Sequence, residues 1–333
     1  MKSVRILALM HPDLVPPEAR VPAAEAGDVS CKTEYDVVHT LRDAGHEVHS
    51  LGVQHELFPI RDAIDRIKPH IVFNLLEEFH GEVLFDQNVV SFLELLHMPY
   101  TGCNPRGLVI SRGKALSKKL AAYHRIRAPD FAVFPMDRKV RRPARLKFPL
   151  IVKSLIEHAS IGIAKASVVD SDEKLAERVA FIHERVGTDA IAEQFIEGRE
   201  IYVSVMGNER LAVFPIWELI AKNKPEGEPL IATARVKHDV EYQLRHGIIT
   251  GPAELPSELA ARIVHAARRI YKILELTGYA RVDFRLNADG QFYFLEANPN
   301  PEIAEDEEFA SSALAAGVSY TELLERIIKL GLR

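Results

Sequence analysis

The chain is poor in the features that mark several large classes of protein. It has two cysteines in 333 residues, Cys31 and Cys103, far apart and without metal-ligand spacing. That excludes a disulfide-stapled secreted scaffold and fits reduced thiols in a cytoplasm. It has no basic excess: 42 Lys and Arg against 47 Asp and Glu leave a net charge of −5, so nothing steers it to nucleic acid or an anionic membrane. It also lacks a long apolar run. Ile6 to Met10, behind Lys2 and Arg5, is too short for a secretory signal and is ended by His11-Pro-Asp13. No stretch approaches the ~20 apolar residues that cross a bilayer. Neither an internal repeat nor a low-complexity tract is visible. What is present is ordinary globular composition, 47% apolar and 27% charged, enough for two or three cores and a small soluble partner.

The pattern along the chain starts as parallel α/β. A strand over 4–10 is followed by a Pro-rich loop, an amphipathic helix from Thr33 to Ala44 and a strand from Glu47 to Leu51. A helix over Ile60 to Ile67, a strand over Ile71 to Leu75 and a helix over Gln87 to Leu96 continue the alternation, so a first domain is expected to span 1–105. A basic helical segment from Gly113 to Arg127 leads into a small α+β unit, 106–192, with strands Pro149 to Lys153, Gly162 to Val168 and Ala190 to Glu193, and a helix from Asp172 to Val186. The remainder, 193–333, reads as antiparallel strands around a polar loop at 221–235 and a long helix near 256–275, closed by a helix from Tyr320 to Leu330. Its last strands, Tyr279 to Leu286 and Gln291 to Asn298, are joined by Asn287-Ala-Asp-Gly290 as a hairpin.

Chemistry concentrates on that hairpin. Arg281, Asp283 and Arg285 alternate with apolar residues and share one strand face; Phe294, Glu296 and Asn298 are expected to share a face of the other. Paired, Asp283, Glu296 and Asn298 offer two carboxylates and an amide oxygen, hard donors suited to Mg²⁺ with phosphates completing its shell. Arg281 then sits where a transferring phosphoryl group needs positive charge. Periodicity alone leaves open a solvated hairpin with cross-strand ion pairs. Lys153 ends an apolar strand before the small, polar loop Glu157 to Gly162, as a lysine and a lid closing over phosphates would, or as an ordinary surface hairpin would. Glu193 and Glu200, one short loop apart, can serve an adenine amino group and ribose hydroxyls, or be surface charges.

Taken together and in this order, these segments resemble an ATP-grasp enzyme, most of all the D-alanine–D-alanine ligases, over most of the chain. The resemblance implies a three-domain ATP-grasp fold, α/β and α+β, and an ADP-forming carboxylate–amine ligase using ATP and two Mg²⁺ ions, with Mn²⁺ as a substitute. It makes Lys114, in Ser-Arg-Gly-Lys-Ala-Leu-Ser-Lys, the first phosphate lysine and Lys153 the second, with Glu157 and Ser160 in the lid loop. Glu193, backbone groups at Phe195 and Ile196, and Glu200 become the adenine and ribose contacts. Lys237 becomes the loop lysine near the phosphates, Arg281 the acyl-phosphate arginine, and Asp283, Glu296 and Asn298 the metal ligands. Small-molecule acid and amine substrates are implied, with no nucleic acid or membrane partner, and a homodimer, since related ligases are often dimers.

The departures from the family are as informative. Its Gly-Gly-x-Ser-x-Glu-type turn after the first strand is matched here by Met10-His-Pro-Asp-Leu, with Glu25, Asp28 and Glu34 only loosely placeable. Its lid serine stands as Ala159. After Asn298 the family's Pro-Gly and Ser-Leu substrate grip is replaced by a run holding Glu302, Glu305, Asp306, Glu307 and Glu308. Carboxylates there repel a carboxylate and attract an ammonium group, so the expected acceptor is a basic amine, or an amino compound with no carboxylate near the attacking nitrogen, rather than D-alanine; an acid-rich helix N-terminus is the simpler alternative. Asn74 and Glu77, at the end of a parallel strand, are further substrate candidates. A divergent D-alanine–D-alanine ligase and a module that binds ATP without turnover are the competing functions. His39, His46, His49 and His55 lack ligand spacing and read as structural.

Overall fold

The computed structural model describes residues 2–20, 31–156, 164–223, 236 and 239–333. Glu25, Asp28, Glu157, Ala159, Ser160 and Lys237 lie outside the described residues.

The N-terminal sheet is parallel, in the order β2-β1-β3, from β1 (Arg5–Met10), β2 (Glu47–Gly52) and β3 (Ile71–Asn74). Helices α1 (Lys32–Asp43), α2 (Phe58–Ile67) and α3 (Asp86–Leu95) connect and cover it. β1 is central and buried on both faces, which is why Ile6 to Met10 reads as a continuous apolar run rather than an alternation. The chain then forms α4 (Pro105–Arg112) and α5 (Lys114–Tyr123). α4 was not expected from the sequence, although its signals are local: Asn104 caps it by accepting from the Gly107 amide, and Pro105 occupies the first turn, where a missing N–H costs nothing.

A four-stranded antiparallel sheet follows, ordered β4-β7-β5-β6, from β4 (Phe131–Phe134), β5 (Leu150–Ser154), β6 (Val168–Val169) and β7 (Ala190–Gln194). α6 (Asp172–Phe181) packs on it and ends in a π-type turn through Val186. The expected strand Gly162 to Val168 is corrected over its described part, Gly162 and Ile163 lying outside the described residues: Lys165–Ser167 form a 3₁₀ turn, and among the described residues only Val168–Val169 of this stretch pair with β5.

The largest sheet, antiparallel, is ordered β11-β10-β8-β12-β13, with β9 (Ala212–Val213) also on β8. Its members are β8 (Arg199–Met206), β10 (Trp217–Ala221), β11 (Ile248–Pro252), β12 (Tyr279–Leu286) and β13 (Phe292–Pro299). Between them the chain forms α7 (Val240–His246) and α8 (Ser257–Ile273), and the apolar stripe of α8, from Ile263 to Tyr271, buries against the back of the sheet. The chain closes with α9 (Glu308–Ala315) and α10 (Tyr320–Gly331), whose apolar residues join the core beneath β1 and β3 and so return the C-terminus to the first sheet. Gly198 opens β8 at φ +142°, and a Cβ there would stand 2.0 Å from the Leu286 carbonyl oxygen; only glycine lets the chain pass this close to β12. Among the described residues no helix is long and apolar enough to cross a membrane.

Candidate active site

β12 lies between β8 and β13, so its charged residues are enclosed rather than solvated. Arg281 pairs with Asn298 and Asp283 with Glu296 across the hairpin. Asp283 is 2% exposed. Arg281 donates to both its oxygens, Nε to Oδ1 at 2.9 Å and Nη2 to Oδ2 at 3.1 Å, and the Asn298 amide donates to Oδ2 at 2.9 Å. Arg281 also donates to Glu308 at 3.3 Å and lies over the Tyr202 ring. Burial works against this guanidinium, but Asp283 and then Glu308 hold it charged, well above its ordinary range. An open, solvated hairpin is therefore excluded.

The second strand departs from the expected alternation. The register passes from Asp283 opposite Glu296 to Phe284 opposite Phe294, which leaves Leu295 as an extra residue in a β-bulge. Phe294 is thereby turned into the core, its ring centroid 6.4 Å from that of Phe284, instead of sharing the face of Glu296 and Asn298. The bulge separates the apolar packing of the strand from the two residues it presents to the cleft.

The facing side of the cleft is built by α5, β5 and β7. Lys114, at the start of α5, lies 3.8 Å from Glu296, and burial, opposed by Glu296, lowers its ammonium to about 8. Glu193, 1% exposed, is held between two lysines. Lys153 donates to its Oε2 at 3.3 Å, and Lys118 approaches its Oε1 to 2.9 Å, an ion pair off the line of a hydrogen bond. Burial would raise this carboxyl, but Lys118 and Lys153 outweigh it and keep it below the usual range. Glu200 is engaged on both oxygens, by Arg285 at 3.3 Å and by the Tyr202 hydroxyl at 3.1 Å. The Phe195 amide is committed to the Pro149 carbonyl at 2.9 Å, and Ile196 is buried beside it. Lys118 and Tyr202 were missed in the sequence. Lys118 follows Lys114 by one helical turn, a spacing that puts both on one face and is the signal that could have found it.

Beyond Arg281 the cleft turns acidic. Glu34, in the first turn of α1, is 6% exposed, and burial, with Glu77 and Glu302 adding, pushes its carboxyl up to about 7. Glu77, after β3, keeps solvent access, yet surrounding protein and the charge of Glu302 raise it too. Glu302 accepts from the Thr33 hydroxyl at 3.4 Å, which sets the 302–306 segment against α1. Glu307 is pushed up to about 8 by burial and then by Glu302, Glu308 and Asp306, and it shares a hydrogen bond with Glu308 that needs a proton between them. Lys32 stands at the rim, paired with Asp306 and Asp36. Glu305 and Asp306 are exposed, whereas Glu307 and Glu308 turn inward, so a purely solvated helix N-terminus describes only the first pair. Asn74 is buried: its amide donates to the Thr101 hydroxyl and its side chain accepts from Leu76, so it braces the end of β3. Trp217 sits in a small cluster with Tyr202, Leu219 and Val236, and Glu218 pairs with Arg199. His39, His46 and His49 each have a separate contact, and His55 meets His80.

The donors Asp283, Glu296 and Asn298 suit Mg²⁺ in chemistry and number, since that ion keeps water or phosphate oxygens in the rest of its shell. Arg281 now supplies the positive charge at Asp283, and Asn298 turns its nitrogen that way; half a turn of the amide would present its oxygen. Among the described residues no three His, Cys, Asp or Glu side chains form a group that could hold a metal ion.

Residues 116–329 match the family model described as the D-ala D-ala ligase C-terminus. A D-alanine–D-alanine ligase of Bordetella petrii is 34% identical over 252 residues, 75% of this chain and 73% of that protein. One of Aquifex aeolicus is 30% identical, covering 90% of this chain and 95% of its own length. Among solved structures, a D-alanine–D-alanine ligase of Bacillus anthracis, crystallised with ATP, superposes with a TM-score of 0.75 at 26% identity, over 99% of this chain and 98% of that one.

Proposed function

This chain belongs to the D-alanine–D-alanine ligase family, and from that premise we propose that it activates a carboxylic acid as an acyl phosphate and passes it to a cationic amine rather than to D-alanine. It is an ATP-dependent, ADP-forming C–N ligase of the ATP-grasp fold. A carboxylate is a poor electrophile at neutral pH. Its oxygen attacks the γ-phosphorus, the bond to the bridging oxygen breaks and ADP leaves. The amine then attacks the acyl carbon, loses a proton and expels phosphate, giving the amide.

Arg281, Lys114 and Lys153 carry the positive charge that this phosphoryl transfer needs. Asp283, Glu296 and Asn298 would hold Mg²⁺, two ions with Mn²⁺ as a substitute, which when bound neutralises charge on the phosphates. Glu193 accepts from the adenine amino group, Glu200 takes the ribose hydroxyls, and the Phe195 carbonyl with the Ile196 amide meets the base edge. Lys237, Glu157 and Ser160 are assigned to the lid and phosphates by resemblance alone. The division at 105 and 192 fits this reading, with the nucleotide between the second and third parts and the substrates beside the first.

The observation that carries the acceptor assignment is the inward turn of Glu307 and Glu308, together with Glu34, Glu77 and Glu302, where the family keeps its grip on a carboxylate. Glu34, Glu77 and Glu307, raised above the ordinary carboxylate range by burial and then by neighbouring carboxylates, are stabilised by an arriving cation and opposed to an anion. The second reading, a divergent D-alanine–D-alanine ligase, is favoured by the relatives' names. Phosphate release with Mg-ATP across D-alanine, other amino acids and polyamines, with product masses, separates the two; robust formation of D-alanyl-D-alanine would sink the cationic acceptor.

A further inference from the structure

Among the described residues no cation is more deeply buried than Lys118, at 1% exposed. A buried ammonium is costly unless charge and hydrogen bonds compensate it, and Lys118 has two compensating partners from different sheets. One is Glu193 on β7. The other is the carbonyl of Leu295, the extra residue of the β13 bulge, to which its Nζ donates. A bulge leaves its extra residue outside the ladder, so the lysine satisfies a group that the sheet itself does not. One turn earlier on the same helix, Lys114 faces Glu296, the residue after Leu295. A single face of α5 therefore spans the base-side carboxylate and the hairpin carboxylate.

Lys153 is the more accessible partner of Glu193, its side chain 14% exposed. When it turns to the nucleotide phosphates, Oε2 of Glu193 is opened toward the base and Oε1 keeps its ion pair with Lys118. We infer that Lys118 is a positioning residue for nucleotide selection: it holds Glu193 charged and aimed at the adenine amino group, and by the Leu295 carbonyl it holds the bulge that presents Glu296. This rests on the reading of Glu193 as the adenine contact.

Inosine triphosphate tests it, because a carbonyl oxygen replaces the adenine amino group and has no proton for Glu193. The full chain is titrated with Mg-ATP and Mg-ITP, and the ratio of the two dissociation constants is compared among variants. The wild type is expected to prefer ATP by roughly a hundredfold, a buried acceptor rejecting an analogue that lacks its donor. Glu193→Gln should abolish most of that preference, and Lys118→Met should lower it by about tenfold with ATP weakened far more than ITP. Because the lysine acts through the glutamate, adding Lys118→Met to Glu193→Gln should change the ratio by less than about twofold. Equal weakening of both nucleotides by Lys118→Met would mean a purely structural lysine and overturn the inference. An unchanged ratio in Glu193→Gln would instead remove the base reading, and the inference with it. If Lys118→Met does not fold, Lys118→Gln, which keeps a donor for the Leu295 carbonyl without the charge, decides by the same ratio.

Discussion

The two ends of the cleft handle charge in opposite ways. At the proposed phosphate end each of these charges has a partner of the other sign: Arg281 with Asp283 and Glu308, Lys114 with Glu296, and Lys118 and Lys153 with Glu193. At the proposed acceptor end burial raises the carboxyls of Glu34, Glu77 and Glu307, the charge of Glu302 adding to each, and Lys32 at the rim is already held by Asp306 and Asp36. Paired charges hold a geometry before a ligand arrives, which suits phosphoryl transfer. Crowded like charges store repulsion that a proton or a cation relieves. The first arrangement speaks for the reaction and the second for what the reaction accepts.

The comparison is broken most severely by changing the paired end. Asp283→Asn removes one of two carboxylates from the proposed Mg²⁺ donor set and half of the clamp on Arg281; turnover should fall by at least about a hundredfold while ATP binding stays measurable by titration. Unchanged phosphate release would refute the metal assignment, and absent turnover in the wild type with every acid and amine pair would favour a nucleotide-binding module. A smaller effect is expected at the crowded end. Glu307→Ser relieves the repulsion while keeping a polar side chain, and should shift the ratio of kcat/KM for amines over amino acids toward amino acids by roughly tenfold. A variant with the wild-type acceptor profile would leave Glu307 as helix-terminal acid.

Smaller again is the proton linkage of that end. With Glu307 pushed up to about 8, its proton is largely present at pH 7 and must leave when an ammonium group docks against the ionised pair. Titration of the accepted amine at pH 7 in two buffers of different ionisation enthalpy should show net release of up to about one proton, and kcat/KM for the amine should rise between pH 6 and 8 while the amine stays charged. Proton uptake, or a flat profile, would place the amine elsewhere.

How much of this was legible depended on the distance over which each signal acts. The hairpin was readable because Arg281, Asp283 and Arg285 alternate within one strand. The bulge at Leu295 was not, because an extra residue is defined only against the partner strand. Chain order singled out Lys114, Lys153 and Glu193 as candidates, but the contact of Lys118 with both Glu193 and Leu295 needs three elements assembled. β10 and β11 escaped notice because Trp217–Ala221 and Ile248–Pro252 are short and flank a polar stretch, so no alternation runs long enough to stand out. Glu34 resembles any acid in a first helical turn; its meaning comes from Glu77 and Glu302, which only tertiary packing brings near.

Glu34 also gives the mildest test, because it asks about stability without any substrate. In the native state its carboxyl is pushed from an ordinary value of 4.5 up to about 7, chiefly by burial. Between those values the native chain holds a proton that the unfolded chain has already released, so stability falls as pH rises through that window and the penalty is complete above about 7. A shift of this size corresponds to at most about 3 kcal/mol, and less if the pocket relaxes. Glu34→Gln removes the ionisation while keeping the shape. Its melting temperature should therefore match the wild type near pH 4.5 and exceed it by a few degrees at pH 8. The gap should close when a cationic substrate is added to the wild type, since that ligand stabilises the ionised pocket by mass action. A variant less stable than the wild type at pH 8 would mean that the ionised carboxylate is already compensated by a partner, and the acceptor end would then resemble the phosphate end after all.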